Sequence, residues 1–427
     1  MRHLARLPLL ACCLGARVAA AQVAAVSPAP APISRTEAVT TALGRAARLG
    51  VARADTAVSY AQLLIAQARP NPTLNTVYSK STPQYHVTAD VPIDYPSLRG
   101  ARVRAAQAGR AAARFRFAFE RAAVALDADT AYTRALAARE RLRLSRRNTA
   151  AADSLQVIAT KRRDAGDASD LDVELASVNA AQQTNTTLSD SLAYLSAVLD
   201  LQAAIGMESD GVAISPTDSL GVPVIPPDQL DGDGVATAPA APVASAAAPL
   251  SVAAAQASVE AARLGSVVER RSVWTSPSIT AGFETGDPSG SEPGILPTVG
   301  IALPLPLLNR NRGPIAQAEA ERTRAEAELR LAQVESRTEI ARARRELAIA
   351  MDKVRRDQAL VTSATRVATM SQTAYREGAS ALPAVLEAQR NARDVLAQYV
   401  ADLADAWVAT AELRALTLTS ASDSPSR

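Results

Sequence analysis

The residue types that most often carry catalysis or bind metals are scarce in this chain of 427 residues. It has two cysteines, Cys12 and Cys13, and two histidines, of which His86 is the one beyond the first residues. The sequence contains no HExxH pair and no glycine-rich phosphate loop. We interpret His86 as a strand residue and not as a metal ligand, because the other histidine and both cysteines lie within the first 13 residues and leave it no nearby partner ligand. The sequence therefore predicts neither an enzyme nor a bound cofactor or metal.

Two short segments rich in glycine and serine interrupt long helical patterns at matching places. They are DAGDASDLDVELA at 164–176 and REGASALPAVLEA at 376–388. Glycine readily adopts the left-handed backbone conformation that ends a helix sharply, so Gly166 and Gly378 are expected helix ends. A serine a few residues later suits the N-cap of the next helix, and this role falls to Ser169 and Ser380. Both segments are therefore predicted to be helix–turn–helix tips.

Long helices must position these turns. From Pro314 to about Arg376 the chain has no internal proline or glycine beyond the first residue and is rich in Ala, Glu, Arg and Leu. A helix of about 63 residues is a rod of roughly 95 Å. Its apolar residues recur every seven positions, which predicts packing against a neighbouring helix in a supercoil. This seam comprises Ile340, Leu347, Val354, Val361, Ala368 and Tyr375, and the return segment 379–417 carries Leu396, Tyr399, Leu403, Ala406, Thr410 and Leu413. An equally long run, with a weaker pattern, extends from Arg99 to Ala165.

Four short segments alternate apolar residues with polar or small ones. They are 73–81, 85–93, 277–285 and 296–304, each about as long as a tilted transmembrane strand. Such alternation fits a strand between lipid and water, and it also fits an edge hairpin on a soluble sheet. Aromatic residues favour the membrane interpretation, because they cluster in or beside these segments as interfacial anchors would. The aromatics are Tyr78, Tyr85, Tyr95, Trp274 and Phe283.

The same order of features occurs twice, which predicts an internal duplication. The first repeat covers residues 33–207 and the second covers 245–418. Between them, the proline-rich segment 208–244 is expected to be a linker or an irregular equatorial element. Residues 22–32 and 419–427 are expected to be disordered tails.

The first 21 residues have the pattern of an export signal: a basic start, an apolar run and Ala19-Ala20-Ala21 before the cut. Cleavage there would leave a mature chain without cysteine, as suits an oxidising compartment. The alternative is lipidation of Cys12, after Leu9-Leu10-Ala11. The net charge of +3 comes from the arginines of this segment, so no basic face for nucleic acid is expected. We expect the arginine-rich run Arg139–Arg147 to be a solvated helix face.

Four strands cannot close a barrel, and open strand edges are not tolerated in lipid. A membrane barrel would therefore need several copies of the chain, and three copies would supply twelve strands. Two other protein classes have long helical hairpins: a periplasmic adaptor and a soluble coiled-coil scaffold. An adaptor would normally show one hairpin between β-rich halves, whereas here the hairpin is duplicated. A soluble coiled-coil scaffold would explain the long helices but not the alternating strands or their aromatic residues.

The whole mature chain resembles the TolC family of outer-membrane efflux proteins, over residues 33–418. The resemblance rests on four segments: RPNP at 69–72, PLPLLNRNRGPIAQAEAER at 304–322, KRRDAGDASDLDVELASVN at 161–179 and TAYREGASALPAVLEAQRN at 373–391. It implies a mainly α fold with a membrane β-barrel, in which a homotrimer joins a 12-stranded barrel in the outer membrane to a periplasmic α-helical barrel. The implied function is a passive export duct for small molecules or metal cations, with a large periplasmic part. PLPLLNRNRG most resembles the branch that exports heavy-metal cations, of the Czc/Cus type.

The resemblance also implies partners and roles for individual residues. The tips at Gly166, Ser169, Gly378 and Ser380 would meet a periplasmic adaptor, which in turn binds an inner-membrane pump of the RND type. Asp172 and Glu387 would lie near the positions where relatives place acidic residues at the periplasmic constriction, and are the candidate gate. The chain departs from the family at Pro383-Ala384, where relatives often carry a further acid.

Overall fold

Residues 30–207, 214–224, 248–273, 277–286 and 294–419 are described by the computed structural model of this chain. The expected export signal, residues 22–29 and 420–427 of the expected tails, and Trp274 lie outside these ranges. In chain order the described elements are β1 (Ala31–Ile33), α1 (Arg35–Arg45), α2 (Ala47–Gln67), β2 (Thr73–Tyr78), β3 (Tyr85–Pro92), α3 (Pro96–Asp164), α4 (Asp170–Ala204), β4 (Ile214–Pro216), α5 (Leu250–Arg271), β5 (Ser278–Thr285), β6 (Leu296–Ala302), α6 (Arg312–Arg376) and α7 (Leu382–Thr417).

Two helical hairpins, α3 with α4 and α6 with α7, form most of the described part of the chain. The long arms have 69 residues in α3 and 65 in α6, so each is a rod of about 100 Å. The predicted seam of α6 faces its partner: Leu347 and Val354 are buried there against Leu403, Ala406 and other residues of α7. The prediction of paired long helices is therefore confirmed, with boundaries within a few residues of those expected.

The four predicted strands form one antiparallel sheet in the order β2-β3-β5-β6. Each repeat contributes one hairpin, and the two hairpins meet where β3 pairs with β5. The strands are shorter than predicted at the ends of β2, which stops at Tyr78, and of β6, which stops at Ala302. The duplicated order of a hairpin followed by a long helical pair is confirmed, and β2 and β6 are the free edges of the sheet in the single chain.

A second, two-stranded parallel sheet lies beside the middle of the helices. Here β1 pairs with β4, and Ile33 and Ile214 are buried in a cluster with residues of α1, α3 and α4. The prediction that residues 22–32 form a disordered tail is therefore wrong for Ala31 and Pro32. The segment 208–244 was predicted to be a linker or an irregular equatorial element. Its residues Ile214–Pro216 form β4 of this sheet, which agrees with the second interpretation. At the other terminus, Thr419 forms a bridge with Pro249, so the expected disordered tail 419–427 does not include it.

In the part of the chain that the structure describes, none of the helices is long and apolar enough to cross a membrane.

Candidate functional site

The two predicted tips end their first helices with the same hydrogen-bonding pattern. Gly166 has φ of +85° and Gly378 has φ of +76°, in the left-handed region that glycine adopts without strain. At the first tip, the Gly166 amide donates to the Arg163 carbonyl and the Asp167 amide donates to the Arg162 carbonyl. The second tip repeats both bonds, from the amides of residues 378 and 379 to the carbonyls of residues 375 and 374. These are paired Schellman motifs, and the predicted role of both glycines in ending their helices is confirmed.

The helices that leave the two tips begin differently. Ser169 is the N-cap of α4, and its hydroxyl accepts a hydrogen bond from the Asp172 amide at 3.2 Å. The Asp172 carboxylate in turn accepts from the Ser169 amide at 3.3 Å, which completes a capping box. At the second tip the N-cap is Ala381, and the Ser380 hydroxyl makes no bond to the first turn of α7. The predicted capping role is therefore confirmed for Ser169 and wrong for Ser380, because α7 begins two residues later, with Pro383 in its first turn, where no amide hydrogen is needed.

Arg162 joins the two tips. Its Nη1 donates to the Tyr375 carbonyl at 2.6 Å and its Nη2 donates to the Asp167 carbonyl at 3.1 Å. The guanidinium carbon lies 4.7 Å from the centroid of the Tyr375 ring, within cation–π range. Tyr375 is buried in a cluster that includes Leu155 of α3 and Val385 of α7. The tips of the two helical hairpins are thus one packed unit and not two independent loops.

The candidate gate residues lie at this end of the molecule but in different surroundings. Asp172 is half-buried and is held by the capping box. Burial raises the pKa of the Tyr375 phenol, and the charge of Asp172 raises it further, so this carboxylate lies near the buried ring. Glu387 is exposed on α7 and lines a groove of about 980 Å³ between the two hairpins, together with Arg390 and Arg393.

The four-stranded sheet separates its side chains by polarity. Residues paired across the strands share a face, because side chains alternate along each strand. One face carries Tyr85, Val87, Ala89 and Val91 of β3 beside Phe283, Ala281 and Ile279 of β5 and Val299 and Ile301 of β6. The opposite face carries His86, whose Nδ1 lies 3.2 Å from the Glu284 carboxylate. It also carries Asp90, which accepts hydrogen bonds from Asn75 at 2.6 Å and from Thr280. The predicted alternation is therefore confirmed as two faces of one sheet.

The predicted aromatics lie at the two ends of this sheet. Tyr78 and Tyr85 are exposed on the apolar face at the end away from the helices, with ring centroids 5.3 Å apart. Phe283 lies on the same face, paired with Val87. Tyr95 lies at the other end, where it is the N-cap residue of α3.

A polar cluster at the equatorial sheet was not found from the sequence. The Asp218 carboxylate accepts hydrogen bonds from the Tyr132 hydroxyl and the Arg35 amide, both at 2.9 Å. Arg139 donates to the carbonyl of Asp218 at 2.6 Å, so the expectation of a solvated face is wrong for this arginine. The Arg35 guanidinium stacks 4.1 Å from the ring centroid of Trp407. These residues are far apart in the chain and follow no periodic pattern, so no sequence signal joins them.

Within the described ranges, no group of three or more His, Cys, Asp or Glu side chains is placed to hold a metal ion.

Comparison with known families decides what kind of protein this geometry belongs to. The sequence pattern of the outer membrane efflux protein family matches residues 38–207 and 243–417, which correspond closely to the two repeats. The chain belongs to the outer membrane efflux protein family. This is a family of efflux proteins and not of enzymes, and the resemblance to the TolC family is confirmed. This family match does not support the adaptor and scaffold interpretations.

Solved structures share the fold at low sequence identity. The CmeC outer membrane channel of Campylobacter jejuni has 14% identity and a TM-score of 0.71, with 90% of this chain and 85% of that chain covered. CusC has 15% identity and a TM-score of 0.71, with 90% and 92% covered. The MtrE outer membrane channel of Neisseria gonorrhoeae has 14% identity and a TM-score of 0.67, with 90% and 88% covered. No curated protein matches the sequence.

Proposed function

We propose that this efflux protein is a passive, trimeric duct in the outer membrane, which serves a tripartite system with a periplasmic adaptor and an inner-membrane pump of the RND type. The observation that carries the proposal is the sheet with one apolar face, one polar face and two free edges. Three sheets joined edge to edge would give twelve strands with the apolar face toward lipid and the polar face toward a water-filled lumen.

Apolar stripes on the helices also support assembly of several copies. On α2, Val51, Val58 and Ile65 follow one another at seven-residue intervals and are 66%, 57% and 74% exposed in the single chain. On α4, Leu188, Leu192 and Leu195 form a second exposed stripe. Soluble surfaces rarely leave such rows in water, and seven-residue spacing is typical of helices that pack against another helix. Neighbouring protomers would cover these stripes as the helices join into a periplasmic barrel.

Strand pairing between protomers can be tested by disulfide formation. In one chain β2 and β6 are separated by two strands, or about 14 Å at 4.8 Å per pairing, so a disulfide between them must join two chains. Asn75→Cys would be combined in turn with Leu296→Cys, Thr298→Cys or Ala302→Cys. Three partners are tested because the sheet of a single chain does not fix the strand register between β2 of one protomer and β6 of the next. Asn75→Cys with Thr88→Cys is the matched control, because these residues pair within the chain. A cross-linked ladder that ends at three chains is expected. An intrachain bond in the control without interchain products would overturn the proposed barrel.

At the helix tips, we propose that Gly166, Ser169, Gly378 and Ser380 belong to the surface that meets the adaptor. The linked turns support this, because they form one ordered protrusion at the end of the helices farthest from the sheet. Gly378→Val should abolish efflux and leave the trimer in the outer membrane, because a β-branched residue is strained at this backbone conformation. Retained efflux would contradict the assignment.

We also propose that Asp172 and Glu387 line the periplasmic opening. Three-fold symmetry would bring three copies of each carboxylate around one axis, where they would attract cations. Neutralising both, with Asp172→Asn and Glu387→Gln, is expected to lower the cation selectivity of single channels in planar bilayers. Asp153→Asn with Asp405→Asn is the matched control, because it removes two exposed charges per protomer from elsewhere on the helices. Equal selectivity of the two double variants would show that the first pair lies away from the opening.

The exported compound is a small molecule or a metal cation. The segment PLPLLNRNRG favours the heavy-metal branch, whereas the fold is matched equally well by CusC and CmeC, at a TM-score of 0.71 each. Growth of a deletion strain on toxic divalent cations and on drugs, with and without the gene, would separate these two substrate classes.

A further inference from the structure

The loop between β6 and α6 exposes a row of leucines that nothing in the single chain covers. Leu303, Leu305, Leu307 and Leu308 are 51%, 61%, 74% and 101% exposed. Four exposed leucines within six residues form an apolar patch of the kind that marks a contact with a partner or a membrane.

The end of this loop is fixed in place by Asn311. Asn311 has φ of 57°, in the left-handed region, and its side-chain amide donates to three acceptors on the last turn of α5. These acceptors are the Glu269 carbonyl at 3.0 Å, the Glu269 carboxylate at 3.1 Å and the Ser272 hydroxyl at 2.8 Å. Within the loop, the Leu307 amide donates to the Leu305 carbonyl at 2.8 Å. The leucines are therefore displayed by a structured segment.

Strand register places the loop at the helical end of the sheet. Ala302, the last residue of β6, pairs with Ser278 at the start of β5, which pairs with Pro92 at the end of β3. The leucines follow directly from Ile301 and Val299, which belong to the apolar face and are 76% and 80% exposed. The loop therefore extends the apolar face toward the helices.

Basic side chains surround the same end of the sheet. We call Arg69, Arg99, Arg271, Arg310 and Arg312 the basic collar, because each lies within ten residues of a strand end at this level. Arg99 and Arg271 donate to backbone carbonyls, at 3.0 Å and 2.6 Å, so their charges remain uncompensated. In the described residues, no carboxylate forms an ion pair with Arg69, Arg310 or Arg312.

The two carboxylates beside the collar are already engaged. Asp94 is paired with Arg102, outside the collar, at 2.6 Å. Glu269 accepts from the neutral Asn311 amide, so it keeps its negative charge, and this single charge faces the five arginines of the collar. The level at which the sheet meets the helices therefore combines protruding leucines with an excess of positive charge. Anionic phospholipid headgroups above an acyl layer are complementary to this pattern.

We propose that residues 303–312 and the basic collar anchor the channel in the periplasmic leaflet of the outer membrane, with the leucines among the acyl chains and the arginines on anionic phospholipid headgroups. This inference rests on the proposed membrane barrel. A neighbouring protomer is the other cover for the leucines, but in a symmetric assembly it would bring the same excess of arginines to this level and would not balance the charge of the collar.

Lipid contact can be measured in the full chain reconstituted into vesicles. A fluorescent NBD label would be placed at Leu308→Cys, at Val299→Cys on the apolar sheet face, and at Val334→Cys, an exposed position on α6. Quenching by brominated phosphatidylglycerol would be compared with quenching by brominated phosphatidylcholine. We expect quenching at 299 and 308, none at 334, and a preference for phosphatidylglycerol at 308 only.

The headgroup contact can be tested in the Leu308→Cys background with Arg310→Gln and Arg312→Gln. An arginine near an anionic surface strengthens association about fivefold, so the double change should weaken the relative association of phosphatidylglycerol by roughly 25-fold at most. Arg330→Gln with Arg337→Gln, two exposed arginines of α6, is the matched control and should leave it unchanged.

The outcomes separate this inference from the proposed function. Quenching at 299 with a water-exposed label at 308 would overturn the anchor and retain the barrel. A label at 308 that is shielded from water but not quenched by lipid would overturn the anchor and assign the leucines to a protomer contact. Quenching at 308 without a preference for phosphatidylglycerol would overturn the role of the basic collar. Absence of quenching at 299 would overturn the membrane barrel itself.

Discussion

Replacing Arg162 by glutamine should loosen the contact that holds the two helix tips together. The change removes two charge-assisted hydrogen bonds to backbone carbonyls, at 2.6 Å and 3.1 Å, and a cation–π contact with Tyr375. A hydrogen bond to a charged group contributes about 1.5–3 kcal/mol, and an exposed cation–π contact about 0.5–1 kcal/mol. Because the bond to the Asp167 carbonyl is exposed, and glutamine can keep one weaker bond, we expect a loss of about 2–4 kcal/mol.

Hydrogen exchange measured by mass spectrometry reports this loss directly. The Gly378 and Ala379 amides are bonded to the carbonyls of Tyr375 and Ala374, so they exchange only when the tip opens. A loss of about 2–4 kcal/mol predicts exchange roughly 30- to 700-fold faster at this tip, since 1.4 kcal/mol corresponds to a factor of ten. Lys161→Gln, a neighbouring exposed position, is the control. If both variants exchanged at the wild-type rate, Arg162 would not hold the tips together.

Three further predictions concern the cap, the sheet and a charged pair. Ser169→Ala should lower the free energy of unfolding by about 1 kcal/mol in denaturant titrations, whereas Ser380→Ala should have no effect; equal losses would contradict the assigned caps. Gly282→Ala should abolish the folded sheet, because its new Cβ would overlap the backbone of β3, while Gly300→Ala, with its nearest atom 3.7 Å away, should retain the heat-modifiable band on gels. Burial, and then the Asp402 carboxylate on α7, raise the pKa of Asp357 above its ordinary value, so its charge opposes folding at neutral pH. Asp357→Asn should therefore raise the unfolding temperature at pH 7, and this gain should vanish as the pH falls below about 3, where the wild-type carboxyl is protonated in both the folded and the unfolded state.

Periodicity along the chain was sufficient to predict the long elements. The seven-residue seam of α6 depends on neighbours within one helix, and each of its positions is buried or half-buried in the structure. The sheet faces follow in the same way from alternation within each strand. The tip glycines were predictable because a left-handed residue that ends a helix is a local requirement.

Contacts between distant segments could not be predicted in this way. The β1–β4 pair joins residues far apart in the chain and contains two prolines, which in isolation indicate a disordered segment. Arg162 was part of a matched motif, but nothing in the sequence shows that its guanidinium reaches the Tyr375 carbonyl of the other repeat. Ser380 shows the limit of a local rule, because a residue type that suits a cap does not fix the position at which the helix begins.

The detergent-corrected mass of the protein, purified from the outer-membrane fraction, tests the shared barrel most directly. Four strands per chain, with free edges at β2 and β6, require a closed assembly in lipid. The account predicts a heat-modifiable outer-membrane species of three protomers. A soluble periplasmic monomer or dimer would contradict it, and would show that the apolar face of the sheet meets protein and not lipid.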